Sequence, residues 1–230
     1  MDTQKLLRNS DTYTAKGYHK TNPVLIPKIK VLTFKDFNTW NLDNLTDYII
    51  VTHHSYVKKN VAVIYDLARE LANQHGEEHP ELFKLTEVTF LFFHDLLNHL
   101  ANEEQILFPN IKQMAKKRKT TYKTFGLIRD TVTIMKKQHV ATDKNLKLFQ
   151  GLTHDYTFPA DASNSYKYLL KKMKELENDL VVYINLESTI LLPKAIALDK
   201  KIQKDEKDRS RWKIKVLENS LKPIIKLRKQ

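Results

Sequence analysis

Cysteine is absent from all 230 residues, which removes disulfides, thiolate metal sites and cysteine nucleophiles and fits a reducing compartment. Glycine occurs four times and proline seven. A chain so poor in turn residues is not built from many short strands, and long helices are expected instead. The first residues, "MDTQKLLRNSDTYTAKG", hold no apolar core of signal-peptide length, and no later run approaches the roughly 20 apolar residues that span a bilayer. A soluble cytoplasmic protein with no membrane partner is expected.

Acidic residues are short at both ends. Residues 1–40 carry seven Lys/Arg against three Asp/Glu, and residues 199–230 carry twelve against five, whereas 41–198 is nearly balanced at twenty against nineteen. The formal charge of +12 therefore belongs to the ends. A basic end suits an acidic partner, but aromatics are sparse there and no nucleic-acid motif appears, so a solvated helix face is the plainer reading and nucleic acid is not expected.

What is present is helical periodicity. Residues 1–40 read as an irregular N-terminal arm, and the length allows one main core. Apolar residues recur at helical spacing from Leu45 to Leu71, with Gly76 closing the run. A second helix is expected from about 80 to 114, then a loop "KKRKTTYKT", then a third helix from about 125 to 150. The polar stretch "GLTHDYTFPADASN" offers Asp161 or Ser163 as N-cap for a fourth helix ending near Leu198. A shorter basic amphipathic helix, "SRWKIKVLENSLKPIIKL", is expected to pack outside, bent or ended by Pro223. This is an all-α chain: an antiparallel up-down four-helix bundle over 41–198 with a C-terminal helix over 199–230.

The chain also repeats itself. A shift of 84 residues lays "VVYINLESTILLP" on "LNHLANEEQILFP", pairing Tyr183 with His99 and Glu187 with Glu103, while His54 and His139 lie 85 apart. His99 and Glu103, four residues apart, project from one face of a helix. Glu187 and Tyr183 repeat that spacing, and His54 and His139 add one imidazole each from the first and third helices. Carboxylates and imidazoles converging in an apolar bundle are the ligand set of di-iron or di-manganese sites. Buried without a metal or a partner, each such charge would cost several kcal/mol.

The other candidates rank lower. His53 lies about 100° around an α-helix from His54, so both are not expected to point inward. His94 reads as a boundary residue or one just behind the ligands, and His19, His75, His79 and His154 as surface. Phe90, Phe92 and Phe93 read as core, and Glu104 as pointing outward.

The stretches "TDYIIVTHHSYV", "HGEEHPEL", "NHLANEEQILFPNIK", "MKKQHVAT", "LTHDYTFPADASNSY" and "NLESTILLPKAIAL" resemble, in this order, the hemerythrin-like iron–sulfur cluster repair proteins. The resemblance covers Leu45 to Leu198. It implies a four-helix bundle holding two iron ions as an oxo-bridged non-haem centre, and a part in repairing clusters damaged by nitric oxide or peroxide. It also implies damaged iron–sulfur proteins as partners and NO or O2 as small ligands, with a homodimer and enzymatic turnover left open. The implied ligands are His54, His99, Glu103, His139 and Glu187, and Asp95 matches a nearby acid beyond the ligands. Four departures stand out: Tyr183 replaces a ligand histidine, Gln138 an acid and Ser163 a frequent cysteine, and residues 1–40 hold no Cys-Cys domain. Mechanisms needing thiols from this chain are excluded.

Tyr183 leaves three readings open. Its phenol, with a reference pKa of about 10, ligates trivalent iron as tyrosinate, as tyrosine does in catalase haem. Alternatively it hydrogen-bonds to a bound water or a bridging glutamate, or the second metal position is weak or lost. Beside the repair reading stand two others, an O2, NO or iron sensing module without repair and a degenerate bundle acting through its basic tail.

Overall fold

A computed structural model of the chain describes residues 34–117 and 127–227. His19 and most of the expected arm and of the expected loop fall outside the described residues, Lys116 and Lys117 of the loop being helical. Trp40–Gln230 forms one compact unit, and in the other, Met1–Thr39, the described residues hold a short helix, Phe34–Phe37.

Four long helices build the larger unit. Helix α1 comprises Leu42–Tyr48, a π-helical segment Ile49–His54 and Ser55–His75. Helix α2 comprises Glu81–Asn102, the π-helical Glu103–Leu107 and Phe108–Lys117. Helix α3 is Leu127–Leu152, and α4 comprises Asn164–Leu186, the π-helical Glu187–Leu191 and Leu192–Leu227. Local chemistry sets the starts: the Asn41 side chain accepts from the Asn44 N–H at 2.8 Å, and Ser163 accepts from that of Tyr166 at 3.3 Å. Ser163, not Asp161, is thus the cap of α4. Gly76 ends α1 with a right-handed φ of −69°, so its smallness serves a close approach and not a left-handed turn. A Cβ built there would meet Ala72 O at 2.3 Å and the Phe83 ring at 2.4 Å.

The helices form an antiparallel up-down bundle. Helix α1 packs along α2 and the first part of α4, α2 along α3, and α3 against the later part of α4. Each presents one apolar stripe to the centre: Leu45, Ile49, Val57 and Ile64 from α1, Phe92, Leu96, Leu100 and Phe108 from α2, Val132, Met135 and Phe149 from α3, and Leu169, Met173, Leu180 and Leu186 from α4. Phe90 departs from the expected core and is exposed, because the stripe on α2 runs through Phe92 and Phe93.

The C-terminal expectation needs correction. No separate helix follows Leu198. Helix α4 runs unbroken from Leu192 through Pro223 to Leu227, because the intervening "DKKIQKDEKDRSRW" consists mostly of helix formers and holds no glycine or proline. Residues 207–217 are all exposed, Trp212 at 66%. The stretch Asn164–Leu217 also contains one window of mean hydropathy 1.4, long and apolar enough by composition to cross a membrane, and 44% of it is buried inside the molecule. Its apolar residues include the bundle-facing stripe of α4.

Candidate metal centre

Three π-helical segments mark the place where the four helices come closest in chemistry. Each ends in a backbone bond reaching five residues back: Ser55 N–H to Ile50 O, Phe108 N–H to Glu103 O, and Leu192 N–H to Glu187 O. Two of them obey the 84-residue repeat, since Glu103–Leu107 shifted by 84 is Glu187–Leu191. Proline supplies the physical reason. Pro109 and Pro193 have no N–H to donate, and their rings crowd the carbonyl four residues back, on Gln105 and Thr189. A widened turn just ahead of each relieves the clash, as π-bulges in helices commonly do at functional sites. In α1 the Ser55 hydroxyl also donates to Ile50 O, at 3.0 Å.

Six side chains meet at this level. One donor atom from each of His99, Glu103, His139 and Glu187 lies within 4.8 Å of all the others, and all four residues are buried. His99 Nε2 stands 3.2 Å from Glu103 Oε1, His54 Nε2 3.2 Å from Glu103 Oε2, and His139 Nε2 3.3 Å from Glu187 Oε2. Yet His54 Nε2, His139 Nε2, Glu103 Oε1 and both Glu187 oxygens have no hydrogen-bond partner. These atoms face each other without aligning as donor and acceptor. Buried polar groups are normally paired, so orphans gathered at one point fit a shared cation. Imidazole and carboxylate without thiolate suit iron, manganese or zinc.

The outer ring nitrogens are anchored. His54 Nδ1 donates to Glu104 Oε1 at 2.8 Å, and Lys58 Nζ donates to both Glu104 oxygens at 2.7 Å. His99 Nδ1 donates to Gln138 Oε1 at 2.9 Å, and His139 Nδ1 lies 3.1 Å from Ser188 Oγ. With Nδ1–H bound to an acceptor, Nε2 keeps its lone pair for the centre, the usual outer support of a metal-binding histidine.

Tyr183 fills the position opposite His99. It is 1% exposed, its hydroxyl donates to Glu103 Oε2, and it stands 3.1 Å from His99 Nε2. Burial, then the charges of Glu103 and Glu187, hold the phenol well above its usual pKa. Burial also works against the Glu103 carboxylate, but the charge and hydrogen bonds of His99 and His54 outweigh it and hold its pKa far below the ordinary value. Burial and then the Glu103 charge push Glu187 well up. His139 is pushed down to about 4 by burial and by the charge of His99. Burial opposes charge on His99 as well, yet Glu103, with hydrogen bonds to it and to Gln138, raises its pKa. Burial and mutual repulsion thus push the pKa values of the two glutamates in opposite directions, as happens when two carboxylates share a dry site.

The cluster joins His54, His99, Glu103, His139, Glu187 and Tyr183. Asp95 is outside it: its side chain is 84% exposed and its carboxylate lies 3.3 Å from His94 Nδ1. The buried stripe runs Phe92, Leu96, His99, Glu103, leaving Asp95 and His94 on the solvent side. Glu104, expected to face outward, instead supports His54. His79, expected at the surface, is 14% exposed, with Nδ1 3.0 Å from Glu81 Oε1 and Nε2 3.4 Å from Asp161 Oδ2. His53 is buried beside His54, contrary to the 100° separation of an α-helix, because the wider π-turn brings successive side chains closer in direction. The double "HH" was the only signal in the sequence for this second inward histidine.

Residues 45–195 match the hemerythrin HHE cation binding domain. The chain belongs to the hemerythrin family. Among its curated relatives this hemerythrin domain is 28% identical over 163 residues to the iron-sulfur cluster repair protein YtfE of Enterobacter sp. (strain 638), covering 71% of this chain and 70% of the relative. It is 27% identical over 162 residues to a probable iron-sulfur cluster repair protein of Haemophilus influenzae, covering 70% and 69%. YtfE of Escherichia coli O81 (strain ED1a) is 28% identical over 163 residues, with 71% and 70% covered. Residues 45–195 contain all six clustered side chains.

Proposed function

We propose that this hemerythrin domain is a non-haem di-iron protein that takes part in repairing iron–sulfur clusters damaged by oxidative or nitrosative stress. The observation that carries the reading is the buried convergence of His99, Glu103, His139 and Glu187, with His54 beside them and their donor atoms unpartnered. His54, His99 and His139 would hold the irons through Nε2, with Glu103 and Glu187 as carboxylate ligands. The names of the relatives supply the repair context. Once bound, the iron pair supplies NO and oxygen-species chemistry and iron for damaged clusters.

The chain's own residues do the rest. Glu103 and Glu187 would provide two fully buried carboxylates beside the imidazoles as countercharge for a cation pair. Glu104, Gln138 and Ser188 fix three imidazoles. Phe108 stacks on His54 at 5.6 Å between ring centroids and, with Leu100, Leu107 and Leu186, keeps water away. With no cysteine in the sequence, this chain would hold the metal through oxygen and nitrogen ligands alone while serving damaged iron–sulfur proteins in a reducing, cytoplasmic setting.

A second reading, a module that senses O2, NO or iron without repair, is favoured by Tyr183, whose phenol occupies the space beside Glu103. Two measurements separate the readings. Elemental analysis after anaerobic ferrous loading should give about two irons per chain, with an oxo-bridge absorption on oxidation. Loaded protein should then restore activity to an NO-damaged iron–sulfur enzyme. Absence of iron overturns both readings, whereas iron without reactivation leaves only sensing.

A further inference from the structure

Ring positions divide the cluster into two halves. His99 and His139 lie 5.3 Å apart between centroids and, with both glutamates, form a complete four-donor set. Tyr183 is farther from them, at 6.4 and 6.5 Å, than from His54, at 5.3 Å. The half containing His54 and Tyr183 therefore has one imidazole where the other has two.

His53 stands on that poorer side. Its ring stacks on Tyr183 at 6.0 Å with 28° between the planes, and it is 4% exposed. Its Nδ1 lies 2.9 Å from Asp179 Oδ1, an acceptor that orients the ring so that Nε2 is the nitrogen a metal would use. That Nε2 is buried and has no hydrogen-bond partner. An anchored Nδ1 and an orphaned Nε2 form the same signature that marks His54 in the same half. Asp179 lies one turn before Tyr183 on α4, so the anchor of His53 and the tyrosine come from one helix face. A neutral imidazole buried in this way without a partner is costly unless something binds it.

We propose that His53, positioned by Asp179, is a metal ligand of the centre and supplies through Nε2 the second imidazole of the half-site that contains His54 and Tyr183. This rests on the di-iron reading above and deepens it. The adjacent pair His53–His54 then does on one helix what two separate helices do for His99 and His139. Tyr183, whose hydroxyl is committed to Glu103, serves as the wall against which His53 is stacked. The π-helical segment Ile49–His54 is what makes two neighbouring histidines usable together.

The test compares wild-type protein with His53→Gln and Asp179→Asn, all loaded anaerobically with ferrous iron and checked for helical content by circular dichroism. Wild type should hold about two irons per chain and His53→Gln about one, with Asp179→Asn losing iron to a chelator about 10–100-fold more readily than wild type. Equal iron content and retention in wild type and His53→Gln overturn the assignment, whatever that content is. Absence of iron from wild type overturns the di-iron reading itself and this inference with it. A measurement that needs no variant closes the question. Pulsed EPR on the mixed-valent wild type, labelled with 15N-histidine, should count four coordinated imidazoles, and a count of three excludes His53.

Discussion

Replacing Tyr183 with phenylalanine removes one buried hydroxyl, which donates to Glu103 and lies 3.1 Å from His99 Nε2. The ring remains, so packing against His53 and His54 is kept and only the hydroxyl leaves. That hydroxyl is buried with the rest of the side chain and donates to Glu103, itself 0% exposed and held ionised by His99 and His54. A hydrogen bond to a charged group contributes about 1.5–3 kcal/mol, and its loss is felt in full when the charge stays buried. At about 2–4 °C per kcal/mol for a chain of this size, the metal-free Tyr183→Phe protein should melt roughly 3–12 °C lower. Urea unfolding of metal-free protein should give a lower midpoint with an unchanged m-value. In the iron-loaded protein the difference should shrink, because a cation then takes over as partner of Glu103. Unchanged or increased stability of the metal-free variant would refute the view that the phenol holds Glu103 in place.

Three further outcomes follow from the geometry. Glu104→Ala leaves the buried His54 Nδ1 without its partner; it should weaken iron retention about 10–100-fold in a chelator competition and destabilise the metal-free bundle by about 1–3 kcal/mol. Asp95→Ala should leave both iron retention and stability unaltered, and a loss of iron would place Asp95 at the centre after all. Gly76→Ala pushes a methyl group into Ala72 O and the Phe83 ring and should destabilise the bundle by about 1–3 kcal/mol in thermal unfolding, with no change in iron stoichiometry.

Much of the bundle is legible along the chain because helices announce themselves locally. Apolar residues recur every three or four positions, the cap at Ser163 is a side chain adjacent to its own helix, and the shared endings "ILFP" and "ILLP" carry the two prolines behind the paired π-segments. The end of α4 was less legible. Residues 199–212 have no breaker, and nothing in a basic, solvated stretch distinguishes a continuing helix from a new one.

The sequence by itself determined that His99 with Glu103, and Tyr183 with Glu187, share helix faces in a duplicated hairpin, since a four-residue spacing and an 84-residue repeat need no partner to be read. Only the tertiary structure decided which neighbours support them. Glu104 reaches His54, Gln138 reaches His99 and Asp179 reaches His53 across gaps of 50, 39 and 126 residues, distances that no local period encodes. It also decided that His53 turns inward and Asp95 outward. The first depends on a π-turn, which changes the angle between successive side chains. The second depends on where the neighbouring helices leave a face of α2 open to water.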